Sequence, residues 1–156
     1  MCKQQLLRRQ WPAFLPRSFL ALRVSLPPTT LEKLLKDKDR GVLLTALDRV
    51  SYNAGQPRIV SEIEKLSTHE DRGIRLKVVD VVRDSNRYHS KYRSILRSMT
   101  KDVDPEVTSM AAVELARFGE KIPPSVIARI KQYLLSAKGM SSQVTTILYA
   151  VSAMGE

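Results

Sequence analysis

The chain has 156 residues, 43% hydrophobic and 27% charged, with a formal net charge of +10; that is enough for one domain with its own core, and too apolar for a disordered chain. Arginine or lysine interrupts every apolar run before the roughly 20 residues that cross a bilayer, so integral membrane contact is excluded. One cysteine, Cys2, and two well-separated histidines form neither a disulfide nor a structural zinc site, so no cofactor and no metal are expected, and the reducing cytoplasm fits best.

Residues 1–28 are a basic N-terminal segment in which Arg8, Arg9, Arg17 and Arg23 accompany Trp11, Phe14 and Phe19 without an acid. That composition suits a cap on a first repeat, or a first-repeat helix from Arg17 to Leu26. The cap is the favoured reading; the alternatives are a transit peptide, which would place the protein in the mitochondrial matrix, and a lipid- or partner-binding anchor. Pro12 and Pro16 break any long amphipathic helix there. Thr29-Thr30-Leu31-Glu32 after Pro27-Pro28 reads as a capping box opening a helix through about Lys38.

From residue 39 a pattern recurs every 32 to 36 residues. Asp39-Arg40-Gly41-Val42 with Ala46, Leu47 and Val50 returns as Asp71-Arg72-Gly73-Ile74 with Val78, Val79 and Val82. It returns again as Asp104-Pro105-Glu106-Val107 with Ala111, Ala112 and Leu115. The apolar spacing i, i+4, i+5, i+8 is one stripe of a helix. Between these helices lies a second set, in which Ile59, Ile63 and Leu66 correspond to Tyr92, Leu96 and Met99 and then to Val126, Ile130 and Tyr133. The repeating unit is therefore a helical hairpin. Gly55 and Gly119 suit the left-handed residue that ends a helix, Pro57, Pro123 and Pro124 suit a first turn, and Asp104-Pro105 reads as an N-cap followed by proline. A fourth, less regular copy begins near Ser141, with Ile147, Leu148, Val151 and Met154 on its stripe and a Gly-Glu pair trailing it, as Gly119-Glu120 trails the third copy.

The segment Asp102-Val-Asp-Pro-Glu-Val through Ala111-Ala112 to Phe118-Gly119 resembles the first helix of a HEAT repeat. The copies at 39–55 and 71–86 lack its proline and double alanine, and the copy at 141–156 lacks the Asp-Pro start. The resemblance implies an all-α fold, a right-handed α-solenoid of about four HEAT-like hairpins over residues 29–156 with the last one incomplete. It also implies that the second helices line the concave face, though HEAT arrays serve many unrelated roles; the expectation of a non-enzymatic scaffold comes from the residues, which carry no catalytic motif. A solenoid end without its polar cap invites a partner, so Ile147, Leu148, Val151 and Met154 are a candidate terminal interface for another copy, another protein or further chain; the alternative is that this helix folds back over the preceding one.

No catalytic residue is expected. His69 beside Glu70 and Asp71 shares no helix face with a second ligand, His89 lies at a turn among cations, and no nucleophile elbow or phosphate-binding glycine loop occurs. Asp102, Asp104 and Glu106 lack the glycine and distal glutamate of a calcium loop and read as caps.

Charge is the stronger signal. Residues 72–101 carry nine basic side chains against Asp80 and Asp84, and residues 1–30 carry five basic and no acidic ones. With Tyr92, Ile95, Leu96 and Met99 buried, Arg93, Arg97 and Lys101 fall on the opposite face of one helix, and Lys131 is in register on the next hairpin. These four form an expected partner-binding basic ridge, with Arg72, Arg75, Arg87 and Lys91 as secondary cations. The expected partner is an acidic protein segment. Nucleic acid is the alternative on the same ridge, weakened by the scarcity of stacking aromatics, of which only Tyr88 and Tyr92 lie in the block. HEAT-like DNA glycosylases bind DNA through a basic concave face with a catalytic aspartate beside tryptophans, whereas the one tryptophan here, Trp11, lies outside the repeats.

Overall fold

A computed structural model describes residues 26–85 and 89–136. The chain is all-α: among the described residues there are seven α-helices, one short 3-10 turn and no strand. The helices are α1 (Pro28–Leu34), α2 (Arg40–Leu47), α3 (Pro57–Leu66), α4 (Arg72–Asp84), α5 (His89–Met99), α6 (Pro105–Arg117) and α7 (Pro124–Ser136), with the 3-10 turn at Val50–Tyr52 between α2 and α3.

Three helices begin by one device. Asp39, Asp71 and Asp104 sit at the N-caps of α2, α4 and α6 in extended conformation, and their carboxylates accept from the backbone N–H of Val42, Ile74 and Val107, three residues on. Each cap satisfies a donor that a helix start leaves without an intrahelical partner. The residue two places earlier supports it: Asp37 Oδ1, His69 Nδ1 and Asp102 Oδ1 accept the N–H of Asp39, Asp71 and Asp104 at 2.8, 2.9 and 2.8 Å. His69 thus stands where the other two copies carry aspartate. Helix ends are less uniform. Only Gly119 among the described glycines takes a positive φ, +75°. There the N–H groups of Gly119 and Glu120 donate to Ala116 O and Leu115 O, the paired bonds of a Schellman ending.

Packing follows the hairpin pattern in two rows. Helix α2 packs on α4 and α4 on α6, while α1 packs on α3 and α3 on α5; hairpin contacts join the rows, and α7 lies against α6. One continuous core runs along the rows from Leu31, Leu43 and Leu47 through Ile59, Ile63, Val78 and Val82 to Tyr92, Leu96, Val107, Ala111 and Ile130. Helix α6 is the most enclosed, with every residue from Glu106 to Leu115 buried. Its buried hydroxyls are answered locally, since Thr108 Oγ1 donates to Asp102 O and Ser109 Oγ to Pro105 O. Tyr92, wholly buried, sends its hydroxyl to Ala54 O at 2.9 Å and ties α5 to the turn before α3.

Several sequence expectations change. Helix α1 begins at Pro28 with Pro27 as N-cap and no side-chain cap, so Thr29 and Glu32 do not form a capping box. Proline at the first helical position has no N–H to satisfy and starts the helix by its fixed φ. The same helix stops at Leu34 instead of continuing to Lys38. Gly55 does not adopt the left-handed conformation; the 3-10 turn closes the α2 segment instead. Helix α5 ends at Met99, so Lys101 lies in the turn beyond it and not on its face. The expectations on residues 1–25 and on the copy from Ser141, including Ile147, Leu148, Val151 and Met154, lie outside the described residues, as does Arg87.

Candidate functional site

Most of the candidate cations among the described residues fall into two groups once the chain is folded. The first lies at the N-terminal ends of α2, α4 and α6, where arginines reach forward to the next cap. Arg40 Nε donates to Asp71 Oδ2 at 2.8 Å. That guanidinium holds the Asp71 carboxyl below the usual carboxylate range, helped by the Ile74 N–H. Arg72 contacts Asp104 at 2.9 Å and also pairs with Glu106. The local sequence explains both. A Cβ on Gly73 would lie 2.7 Å from Arg40 Nη2, so glycine there lets the guanidinium cross. In the next copy Glu106 replaces that glycine and supplies Arg72 with a second carboxylate.

Arg75 goes further inside. Its Nε and Nη2 clasp Asp102 at 2.8 and 3.1 Å, and Nη1 donates to His69 O and Glu70 O at 2.8 and 2.9 Å. Both partners are nearly enclosed, with side chains 10% and 8% exposed. Arg75 is therefore a buried link between successive hairpins and not a surface cation, because every one of these donors is consumed within the fold. Lys91, exposed, donates to Gly55 O at 2.8 Å.

The second group lies on α5 and beyond. Glu120, placed by the Schellman ending of α6, meets Arg97 in a two-pronged pair: Nε to Oε2 and Nη2 to Oε1, both at 2.8 Å. The Glu120 carboxylate raises the Arg97 pKa above its ordinary value. One turn earlier, Arg93 Nε lies 3.8 Å from the same Oε1. This Nε is buried and donates no hydrogen bond. Lys101, in the turn after α5, and Lys131, on α7, are exposed and carry no ion pair among the described residues. The fold thus brings Arg93 and Arg97 together on one carboxylate and sets Lys101 and Lys131 apart from it. Nearby, Arg129 Nη2 donates to Val103 O at 2.8 Å and fastens α7 to the α5–α6 turn.

Glu120 is the residue that sequence reasoning missed. Its signal was the Gly-Glu pair that closes the third copy, since a left-handed glycine dictates where the following side chain emerges. The arginines of the first group had a signal too, in the recurrence of Arg beside the capping Asp. Among the described residues no three His, Cys, Asp or Glu side chains gather in a way that could hold a metal ion. No described helix is long and apolar enough to cross a membrane. No family model, no curated protein and no solved structure matches the chain.

Proposed function

We propose that the chain is a HEAT-type α-solenoid that acts as a non-enzymatic interaction module, holding an acidic segment of a protein partner against the cations of α5 and α7. The solenoid reading draws on the two rows of helices, in which each hairpin packs on its sequence neighbours, the contact pattern of a quasi-one-dimensional array. The observation that carries the binding reading is the Arg93–Arg97–Glu120 cluster. Two guanidiniums one turn apart already receive a carboxylate, one in the bidentate form that arginine uses to recognise such groups. Lys101 and Lys131 are exposed and have no ion pair among the described residues, so they are available to the same partner.

Protein is favoured over nucleic acid because a sequence-tolerant single-strand site needs exposed aromatic platforms. Tyr92 is wholly buried, and the exposed large aromatic among the described residues, Tyr52, belongs to the 3-10 turn after α2.

The test is fluorescence anisotropy of a labelled Glu-rich peptide and of single- and double-stranded oligonucleotides, at about 50 and 200 mM salt. It compares the native chain with one carrying Arg93→Ala, Arg97→Ala and Lys101→Ala. Peptide binding that is lost in the variant, with weak oligonucleotide binding throughout, is the expected result. Tighter oligonucleotide binding with a steep linear fall in log affinity against log salt would replace the protein reading with the nucleic-acid one.

A further inference from the structure

The occupancy of Arg93 and Arg97 by Glu120 sets a condition on any ligand. Two guanidinium charges converge on a single negative charge. Arg97 is satisfied, whereas Arg93 stands 3.8 Å away with a buried Nε that donates to nothing. A partner carboxylate, or the monoanionic phosphodiester of a nucleic acid, entering here would exchange one negative charge for another. It would return to Arg97 only what it removes with Glu120. A phosphomonoester carries about −1.5 to −2 charges at neutral pH and three acceptor oxygens. It can keep both bonds to Arg97 and add the one that Arg93 lacks.

We infer that Arg93 and Arg97 form a phosphoryl-binding site for a phosphorylated peptide, with Glu120 as an intramolecular stand-in that the phosphoryl group displaces. This rests on the proposed partner-binding role of the face and narrows its ligand class. Displacement asks little of the fold, because the Glu120 backbone remains held by its N–H bond to Leu115 O and only the side chain has to turn away. Arg97 is 62% exposed and Glu120 18% exposed, so solvent reaches the pair and screens the attraction that displacement has to overcome. Lys101 and Lys121, exposed and without ion pairs among the described residues, add the positive field that favours a dianion over a monoanion. Besides Arg97, the exposed residues among the described side chains of α5 are Ser90, Lys91, Ser94 and Ser98. None of these is apolar, and Val103 in the following turn is the one large apolar side chain exposed near them in sequence. That is little to insert into a bilayer, which favours a peptide over a phosphorylated lipid headgroup.

The experiment titrates the full chain with a labelled acidic decapeptide carrying serine, glutamate or phosphoserine at its centre. The native chain should bind the phosphoserine form about tenfold or more tighter than the glutamate form, the scale of a second charge-assisted contact. Arg93→Ala should abolish that preference while leaving glutamate-peptide binding in place. Glu120→Gln, which retains both guanidiniums, should tighten binding of both acidic forms severalfold with the phosphoserine form still preferred. That retained preference supports the proposal even if the alanine variant fails to fold, as circular dichroism melting would reveal; equal affinities in the Glu120→Gln variant would overturn it. Equal affinity for the two acidic forms, both dependent on Arg97, would overturn this inference and leave the proposed function standing. Failure of all three peptides would overturn both. Arg93-dependent binding to vesicles containing a phosphoinositide, tighter than to the phosphopeptide, would reassign the site to a membrane and overturn the peptide proposal.

Discussion

The N-terminal ends of α2, α4 and α6 and the exposed face of α5 are built from the same few residue types, yet their charges have opposite fates. At the helix starts every arginine finds an acid or a carbonyl of the next hairpin: Arg40 takes Asp71, Arg72 takes Asp104 and Glu106, and Arg75 is enclosed with Asp102. On α5, Arg93 and Arg97 share Glu120, while Lys101 in the following turn and Lys131 on α7 have no ion pair among the described residues. A basic block in a sequence is therefore not yet a basic surface. Pairing across the repeat occupies some of its members and leaves Arg93 and Arg97 together on one carboxylate.

Breaking the enclosed side of this comparison should have the largest effect. Arg75→Leu leaves Asp102 buried without its counter-ion and should destabilise by about 3–5 kcal/mol, the scale for removing one partner of a buried pair. Urea unfolding checks it, and a loss below about 1 kcal/mol would mean that water already reaches the pair. Next comes the cap. Asp104→Ala removes the acceptor of the Glu106 and Val107 N–H groups and should cost about 1–2 kcal/mol. Asp104→Asn keeps a capping oxygen while removing the charge facing Arg72, so the difference between the two variants separates cap from ion pair.

Gly119→Ala tests the hinge between the two regions. Nothing lies within 4 Å of a Cβ there, so the expected cost, about 1 kcal/mol, is that of a left-handed alanine alone. The same substitution should weaken the hold of Glu120 on Arg97, read as a change in acidic-peptide affinity larger than the stability change would suggest.

The smallest effect is a pH dependence. Burial, the largest influence on Glu114, raises its pKa, opposed by Arg117 and Arg83 and reinforced by Asp80. Its contribution to stability is greatest below the ordinary glutamate range, where the side chain is neutral in both states. That contribution is lost as pH rises through the raised folded value. Glu114→Gln removes this loss, so its stability relative to the native chain should climb as pH rises from the ordinary glutamate range through the raised folded value. A flat difference would show that Arg117 fully offsets the burial.

Much of the fold could be read along the chain. The stripes Val78–Val79–Val82 and Ala111–Ala112–Leu115 repeat at helical spacing, and those residues are buried in α4 and α6. Ile59, Ile63, Tyr92 and Leu96 likewise sit in the core of α3 and α5 where their register places them. Periodicity and capping are local properties, fixed by side chains within a turn or two, so a single sequence displays them. The helix starts at Asp39, Asp71 and Asp104 are legible for the same reason, although the Thr29 box is not, because proline at the first position made a side-chain cap unnecessary.

Local pattern along the chain is enough to set the helical character of the described residues, the position of most helices and the residues that fill the core. Which of its cations are available was decided only by tertiary structure. Arg75 and Arg97 are indistinguishable as letters, and they differ because one meets Asp102 in an enclosed seam 27 residues away and the other meets Glu120 at the surface 23 residues away. Charge pairing over such separations depends on how one hairpin lies on the next, and no local pattern of residues encodes that.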